Sequence, residues 1–377
     1  MTKRDRVLKA FDFEPVDRVP LMDWIQHGPL AAKVAGRESK HDFWTREEAG
    51  KIACKYLDMA QGLSPSYPQK ADEIEHAKII KDGKETWYLS ETVDGLKRKR
   101  NYWMGAVVER PFADLKSATS FVKKKIAETE KELSDRNWQV ERRRYHADVA
   151  ETKELMGDTE LLLMTPGGGL GVDVLYAMIG WGFFSQLIFD QPDLVRMFID
   201  VQAEGAYQWV RNVIENADEQ PVALIYCDIA STTGLMLSPK WIQENMYGNI
   251  ERLASFYKSR GIRVLYHSEG NITRVIDDLI SLGIEGINPL EKTVTGMSVP
   301  EVRKRWPRLV LWGGVDNKDL LVHGTVDEVR REVEFLVDTY GRDGGLLLGS
   351  SGQIHPGCKL DNVIAMYETA LSLELAA

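Results

Sequence analysis

A repeating pattern of apolar and polar residues after position 156 constrains the fold of this chain most strongly. A short apolar run is followed by a polar or glycine turn, and then by a longer segment with helical periodicity. The apolar runs lie at 161–165, 222–227, 262–266, 286–290, 309–312 and 346–349. The helical segments lie at 192–216, 239–260, 272–282, 299–305, 325–340 and 361–374. Runs that are apolar at nearly every position are typical of parallel strands buried on both faces, so this alternation predicts βαβ units and a parallel sheet.

The N-terminal part of the chain offers the remaining strands of such a fold. A short apolar run at 19–21 adds a seventh strand, and the region 45–65 can supply an eighth. We therefore expect an α/β fold, a (β/α)8 TIM barrel preceded by an N-terminal helical segment at 2–11. An open doubly wound sheet is the alternative. The glycine run at 167–171 lacks the GxGxxG spacing of a dinucleotide-binding fold, which favours the barrel.

An excursion at about 70–150 interrupts the pattern. The runs at 79–80 and 86–89 flank an Asp-Gly turn, which predicts a β-hairpin insertion, and 92–96 offers a second turn of the same kind. Charged helical periodicity returns at 114–156. We expect one domain over residues 1–377 that carries this hairpin and helical excursion.

Charge and cysteine content exclude several classes of function. The chain has 377 residues and a formal net charge of −9, which argues against broad attraction to nucleic acid or anionic lipid. Its three cysteines form neither a CxxC pair nor a disulfide framework. No stretch approaches the ~20 apolar residues of a membrane span, and no apolar leader run follows Met1. We therefore expect a cytoplasmic enzyme that acts on a small molecule, without nucleic-acid or membrane partners.

Polar side chains stand where most of the apolar runs end. In a barrel the carboxyl ends of the strands meet at one face, and the chemistry collects there. His267 and Glu269 are two residues apart at one strand end, so they point to the same side, and Glu291 ends the next strand. A histidine with two carboxylates suits zinc or a harder divalent ion, which makes these three residues candidate metal ligands. The alternative is a neutral histidine that is hydrogen-bonded to a glutamate, without a metal.

Other candidate site residues follow the remaining strands. Asp228 is either a carboxylate that orients substrate or takes a proton, or a cap for the segment before Ser238. An aromatic side chain such as Trp24 can form a pocket wall. The candidate substrate-binding residues are Trp24, His27, Asp316 and Gln353.

Several segments together resemble the uroporphyrinogen decarboxylase-like superfamily. They are KRDRVL at 3–8, EPVDRVP at 14–20, GLMLSP at 234–239, HSEGN at 267–271, GGVD at 313–316, IHP at 354–356 and DNVIAM at 361–366. The resemblance covers most of the chain, is weakest at about 70–150, and implies a (β/α)8 barrel. The superfamily contains decarboxylases that act on uroporphyrinogen without a cofactor, and zinc methyltransferases that work with corrinoid proteins.

This sequence departs from the residue patterns of both the decarboxylases and the methyltransferases, and these differences favour one branch. The decarboxylases have an arginine-rich loop after the first strand, whereas 21–28 reads LMDWIQHG here. The methyltransferase pattern of His-x-Cys, a later Glu and a final Cys is kept at His267 and Glu291, while Glu269 replaces the first thiolate and the last falls near Gly352.

The resemblance therefore implies a methyltransferase that demethylates a small substrate and passes the methyl group to a corrinoid on a separate partner protein. Its catalytic residues would be Asp228, His267 and Glu269, with zinc at His267, Glu269 and Glu291. A decarboxylase or other lyase of the same fold is one alternative, and a non-catalytic ligand-binding barrel is another. Relatives imply a monomer or a homodimer.

Overall fold

Parallel strands form the centre of the protein. The structure, a computed structural model, describes residues 1–38, 44–63, 78–82, 85–101 and 104–375. Its largest sheet has six parallel strands, in the order β15 (Leu346–Ser350), β14 (Val310–Val315), β13 (Gly286–Leu290), β12 (Arg263–His267), β9 (Val222–Tyr226) and β8 (Leu163–Met164). A second parallel sheet has the order β1 (Met22–Asp23), β2 (Met59–Ala60) and β7 (Glu160–Leu161). After β9, a short antiparallel hairpin pairs β10 (Ala230–Ser231) with β11 (Gly234–Leu235). The α/β fold with parallel sheets is thus confirmed, and every apolar run predicted after residue 156 overlaps a strand.

The two parallel sheets adjoin at both edges. Only Leu162 separates β7 from β8. At the other edge, Leu21 forms a parallel bridge with Leu348, whose amide donates to the Pro20 carbonyl at 2.9 Å. The strand predicted at 19–21 therefore lies slightly later, at β1, and the region 45–65 contributes β2. Among the described residues, hydrogen bonding does not join all of these strands into a single continuous sheet.

Side chains of the parallel strands are buried on both faces. One apolar cluster contains Val7, Ala10, Phe11, Met22, Met59, Leu162, Val222, Leu224, Leu265, Val310, Trp312 and Leu347, and thus draws on both sheets and the first helix. Neighbours along the same strands, such as Ala223 and Val264, belong to a larger cluster shared with the surrounding helices. This division follows from the period of two along a strand. The Trp312 indole N–H also donates to the Met22 carbonyl at 2.8 Å, which links β14 to β1.

Helices follow the strands as the sequence predicts. The described helices are Lys3–Asp12, Gly28–Ala35, Arg46–Tyr56, Leu115–Asp135, Trp138–Met156, Val172–Ile179, Trp181–Asp190, Pro192–Val213, Pro239–Ser259, Ile276–Ser281, Val299–Arg305, Leu320–His323, Val326–Tyr340 and Leu360–Ser372. Several begin with a capping box, as at Thr45, Ser298 and Thr325, each with a glutamate three residues later. Within the described residues no single helix is long and apolar enough to cross a membrane; Val172–Ile179 and Trp181–Asp190 meet that test of length and composition only as a pair bent by 118°.

The excursion contains a four-stranded antiparallel sheet. Its strands β3 (Lys78–Asp82), β4 (Glu85–Glu91), β5 (Lys97–Arg100) and β6 (Gly105–Glu109) pair in chain order. The predicted hairpin corresponds to β3 and β4, while Gly83 of its Asp-Gly turn lies outside the described residues. The turn at 92–96 leads into β5, and the helices predicted at 114–156 are present.

A buried cluster of charged side chains holds the first two strands, β1 and β2, in position. Asp58, which is fully buried, accepts from Arg6 at 2.6 Å, from Arg18 at 2.6 and 2.9 Å, and from the Leu21 amide at 2.8 Å. The Arg6 guanidinium also binds Asp17 and holds the pKa of that carboxyl well below its usual range. The two N-terminal segments that resemble the superfamily, 3–8 and 14–20, therefore supply a clamp of charged side chains beside β1 and β2.

Candidate functional site

The His267 side chain is held in one orientation at the end of β12. It lies opposite Asn288 in the register of β12 and β13, and its Nδ1 is 2.6 Å from the Asn288 Oδ1. The Asn288 amide Nδ2 donates to the Trp312 carbonyl at 3.2 Å, so the amide oxygen is the atom that faces the imidazole. His267 therefore carries its proton on Nδ1, and Nε2 is the acceptor in the neutral ring.

Asp228 lies on the Nε2 side of this imidazole. Its Oδ1 is 3.7 Å from His267 Nε2, which is too long for a hydrogen bond but close enough for an ion pair when the ring is protonated. The same oxygen accepts from the Glu269 backbone N–H at 2.9 Å. The ends of β9 and β12, which are paired strands, thus bring Asp228 and His267 together.

Glu269 extends from the same strand end toward solvent. Its side chain reaches solvent, yet enough protein surrounds the carboxyl group for burial to raise its pKa above the usual value. The charges of Asp228 and Glu291 raise the pKa further, while His267 and Lys318 oppose this shift. Glu269 consequently keeps its proton to a higher pH than an ordinary glutamate does, which suits a general acid.

Glu291 is buried and fully engaged by protein donors. Its Oε1 accepts from the Lys318 ammonium at 2.5 Å, and its Oε2 accepts from the Gly270 N–H at 2.8 Å. Gly270 has a φ of +84°, and a Cβ there would lie 2.5 Å from the Ser231 carbonyl oxygen, so the turn requires glycine. Glu291 therefore anchors the loop that carries Glu269.

This arrangement does not match the predicted metal centre. Within the described ranges, His, Cys, Asp and Glu side chains form no group of three or more that could hold a metal ion. Both oxygens of Glu291 are bound to protein donors, whereas His267 keeps a free Nε2 because only its Nδ1 is bound to Asn288. The three residues predicted as zinc ligands share one region, but the Glu291 carboxylate is taken up by Lys318 and the Gly270 amide.

The four predicted substrate-binding residues fall into different roles. Asp316 is buried and caps the following turn by accepting from the amides of residues 318–320. His27 caps the helix Gly28–Ala35, with Nδ1 accepting from the Leu30 amide at 3.1 Å and Nε2 donating to the Cys358 carbonyl at 2.9 Å. Both groups thus support structure rather than offer free polar atoms.

The other two predicted substrate-binding residues are Trp24 and Gln353. Trp24 is partly exposed and lines a cavity described below. The Gln353 carbonyl accepts from the Asn317 side-chain amide at 2.8 Å, which fixes the backbone after β15.

A large cavity opens beside the ends of β1 and β2. Its volume is about 660 Å³, and its walls come from the loop after β1, the helix Arg46–Tyr56, strands β5 and β6, and the helix Val172–Ile179. Asp23 lies in its wall and accepts from the Ser350 amide and hydroxyl, the Tyr367 hydroxyl and the Trp24 amide. Burial raises the pKa of Asp23 to about 6, against the opposing effect of these donors.

The helix Val172–Ile179 contacts both this cavity and the cluster around His267. Val174 lines the cavity, whereas the Tyr176 hydroxyl donates to the Asp228 carbonyl at 2.9 Å. Asp173, which the sequence reading missed, lies near Asp228; burial and that neighbouring charge raise its pKa to about 6. The glycine run at 167–171, just before Asp173, is the sequence feature that indicates a close backbone approach near this residue. At Gly168, where φ is +73°, a Cβ would lie 2.1 Å from the Tyr226 carbonyl oxygen, so only glycine lets this loop approach β9.

Parallel sheets with ionisable side chains at the carboxyl ends of their strands define the α/β class of this protein. The family model for uroporphyrinogen decarboxylase matches residues 149–373. The match covers more than half of the chain, and the chain therefore belongs to the uroporphyrinogen decarboxylase family. The resemblance expected from the sequence is thus confirmed.

A solved structure and the curated proteins give two further comparisons. The fold is similar to that of a methyltransferase from Methanosarcina mazei, with a TM-score of 0.61 and 19% identity over 98% of each chain. At 19% identity, this similarity shows a shared fold and does not by itself establish the reaction. No curated protein matches the chain.

Proposed function

We propose that this protein removes a methyl group from a small methylated substrate and passes it to a corrinoid on a partner protein. The observation that carries the proposal is the fixed imidazole of His267, whose Nε2 faces Asp228 at the ends of adjacent strands. Membership of the family and the fold likeness to a methyltransferase support the reaction class. The protein would act as a single domain in the cytoplasm, as a monomer or a homodimer.

The proposed chemistry assumes that the two parallel sheets form one (β/α)8 barrel. The contacts at both sheet edges support closure, as does the apolar cluster that draws on strands of both sheets. The bond from Trp312 to Met22 supports it as well. In such a barrel the strand ends around His267 face one mouth, where substrates bind.

Proton transfer is the role assigned to this cluster. When the methyl group leaves, the electron pair of the broken C–O or C–N bond stays on the heteroatom, which then takes up a proton. Glu269 would donate that proton because its pKa is raised. His267 Nε2 can accept or return a proton, and Asp228 at 3.7 Å would stabilise the protonated ring and orient the substrate.

The exposure of the site residues to solvent is compatible with a cofactor that is carried by another protein. Asp228 has a side chain that is 47% exposed, and Glu269 also reaches solvent. The corrinoid would supply the nucleophile that takes up the methyl group. Zinc stays an expectation from the sequence: both oxygens of Glu291 are engaged by protein donors, so the three residues do not fit it as they are arranged, and no step is assigned to it.

A carboxy-lyase is the second candidate, and a specific observation favours it. The loop after the first strand lacks arginine, but Arg98 and Arg100 of β5 line the neighbouring cavity. The insertion therefore supplies the cationic side chains that a carboxylated substrate needs. Decarboxylation would use the same His267 and Asp228 without a methyl acceptor.

The test is transfer of a methyl group to free cob(I)alamin. The purified protein would be incubated with methyl ethers, methylamines and quaternary methylammonium compounds, and methylcob(III)alamin formation followed by absorbance. We expect transfer from at least one compound class, and a loss of about 100-fold or more in the His267→Gln variant.

A matched histidine provides the control. His146 also contacts a carboxylate, Glu219 at 2.8 Å, but on a helix of the excursion, so His146→Gln should keep full activity. Carbon dioxide release from carboxylic acids without methyl transfer would overturn the proposal in favour of the lyase. Ligand binding with neither reaction would leave a non-catalytic barrel.

A further inference from the structure

Ser268 lies between His267 and Glu269 in the chain, and it is fully buried. Its Oγ accepts from the Ile229 amide at 3.1 Å and donates to the Glu269 carbonyl at 3.1 Å. Ile229 directly follows Asp228 and is only 1% exposed. The Ser268 hydroxyl therefore ties the loop that carries Asp228 to the turn that carries Glu269.

Two other bonds join the ends of the paired strands β9 and β12. The Cys227 amide donates to the His267 carbonyl at 3.0 Å, and the Glu269 amide donates to the Asp228 Oδ1 at 2.9 Å. These bonds fix the backbone before Asp228 and one oxygen of its carboxylate. Neither of them involves the Ile229 amide, so the serine hydroxyl holds the backbone on the other side of Asp228.

A hydroxyl group suits this position because one atom both accepts and donates a hydrogen bond. Without it, the buried Ile229 amide would lose its partner, which is costly in the interior of a protein. The Asp228 carboxylate would then be held less firmly beside His267 Nε2, now 3.7 Å away. The interaction between a carboxylate and an imidazole depends on their separation, so the tie bears directly on how the two groups act together.

The same arrangement occurs at a second pair of neighbouring strands, β14 and β15. Ser351 directly follows β15, as Ser268 directly follows β12. Its Oγ accepts from the Asn317 amide at 3.2 Å and donates to the Asn317 Oδ1 at 3.1 Å, and Asn317 directly follows Asp316 at the end of β14. Both serines thus tie the end of one strand to the residue after an aspartate on its neighbour, and Ser268 is the one next to His267 in the chain.

We propose that Ser268 is a positioning residue that sets the place of the Asp228 carboxylate relative to His267 Nε2. Because Ser268 is fully buried, it acts through the backbone after Asp228 and not on the substrate. The inference rests on the proposed role of this cluster in proton transfer, and it applies equally to methyl transfer and to decarboxylation.

Nitrogen-15 NMR of the ligand-free protein tests the proposal without any activity. At a pH where the His267 ring is neutral, Asp228→Asn should shift the Nε2 signal, since it removes the charge that lies 3.7 Å away. In a Ser268→Ala background the same substitution should produce less than about half of that shift, because the carboxylate no longer has a fixed place. Equal shifts in the two backgrounds would leave Ser268 with a structural role only and overturn the proposal.

Ser351→Ala is the matched control. Both alanine variants should lower the Tm by about 2–5 °C, since each leaves one buried amide without its partner. In the Ser351→Ala background, however, the His267 signal should keep its full response to Asp228→Asn. A response that is reduced there as much as in Ser268→Ala would show a general loosening of the fold and would overturn the proposal.

Amide hydrogen exchange of the parent protein tests the bond itself and needs no variant. The Ile229 amide should exchange slowly, because it is buried and donates to the Ser268 hydroxyl. Exchange as fast as that of a solvent-exposed loop amide would refute the tie, even if Ser268→Ala does not fold.

Kinetics separate this inference from the proposed function. With a methylated substrate that the parent protein turns over, Ser268→Ala should lower kcat about tenfold or more and leave KM within about twofold, because a misplaced acid–base pair slows the chemistry and not the binding. Ser351→Ala should keep its kcat within about twofold of the parent value. A parent-like kcat in Ser268→Ala would overturn the positioning role. A parent protein that transfers no methyl group would overturn the proposed function alone, since the NMR response is measured without substrate.

Discussion

Replacing Lys318 by methionine probes how the loop that carries Glu269 is held. The Lys318 ammonium lies 2.5 Å from Glu291, whose side chain is only 3% exposed, whereas the lysine side chain is 47% exposed. Removing one partner of a fully buried pair costs about 3–5 kcal/mol, because the other charge is left unpaired. Since water reaches Lys318, we expect less than half of this, roughly 1–2 kcal/mol of unfolding free energy.

A second effect of Lys318→Met concerns the proposed general acid. The positive charge of Lys318 lowers the pKa of Glu269, against the larger effects of burial and of Asp228 that raise it. Its removal should therefore raise the pKa of Glu269 further, so that the protonated form persists to higher pH. Carbon-13 NMR of labelled glutamate, assigned with a Glu269→Gln variant, would report this pKa directly.

The assay and its control are simple. Urea unfolding at neutral pH would compare Lys318→Met with Lys292→Met, because Lys292 also binds a glutamate, Glu332 at 2.8 Å, but on the outer surface. The control should lose no more than about 1 kcal/mol. Equal losses in the two variants, or a lower pKa of Glu269 in Lys318→Met, would refute the proposed role of Lys318.

Three further predictions concern buried polar residues. Asn288→Leu should lower the unfolding free energy by about 2–4 kcal/mol in urea, because the His267 Nδ1–H and the Trp312 carbonyl lose partners; a loss below about 1 kcal/mol would contradict the assigned bonds. Asp58→Asn should cost about 3–5 kcal/mol by the same measurement, since two arginines lose their anion; near-parent stability would contradict the clamp. Burial raises the pKa of Asp23 to about 6, above its unfolded value, so its contribution to stability is present below about pH 4 and is lost as the pH rises to about 6. Relative to Asp23→Asn, the parent should therefore lose up to roughly 3 kcal/mol between these pH values, and a parallel pH dependence would contradict the assignment.

Local sequence patterns were sufficient to predict the parallel part of the fold. The strands β9, β12 and β13 lie within one residue of the predicted runs, because each is apolar at most positions and is followed by a polar or glycine turn. The first sheet was harder to place. The strands β1 and β2 have only two residues each, and pairing rather than periodicity fixes their position.

The sequence brought the site residues to one region but did not assign their partners. Asp228 and His267 were both predicted at strand ends of one face, and their side chains lie 3.7 Å apart in the structure. Spacing alone could not show that Glu291 is bound by Lys318, because a loop folds back over 27 positions of the sequence to form that contact. The cavity was missed for a similar reason: Arg98 reaches it only through the antiparallel sheet, whose docking leaves no local signal.

The protonation pattern of one imidazole tests the proposed centre most directly. Nitrogen-15 NMR distinguishes protonated from unprotonated ring nitrogens, and a His267→Gln variant would identify the relevant signals among the seven histidines. The orientation of Asn288 predicts a neutral His267 ring with its proton on Nδ1 and a free Nε2. A ring protonated on Nε2 instead, with Nδ1 as the acceptor, would show that the nitrogen facing Asp228 cannot accept a proton and would contradict the proposed site.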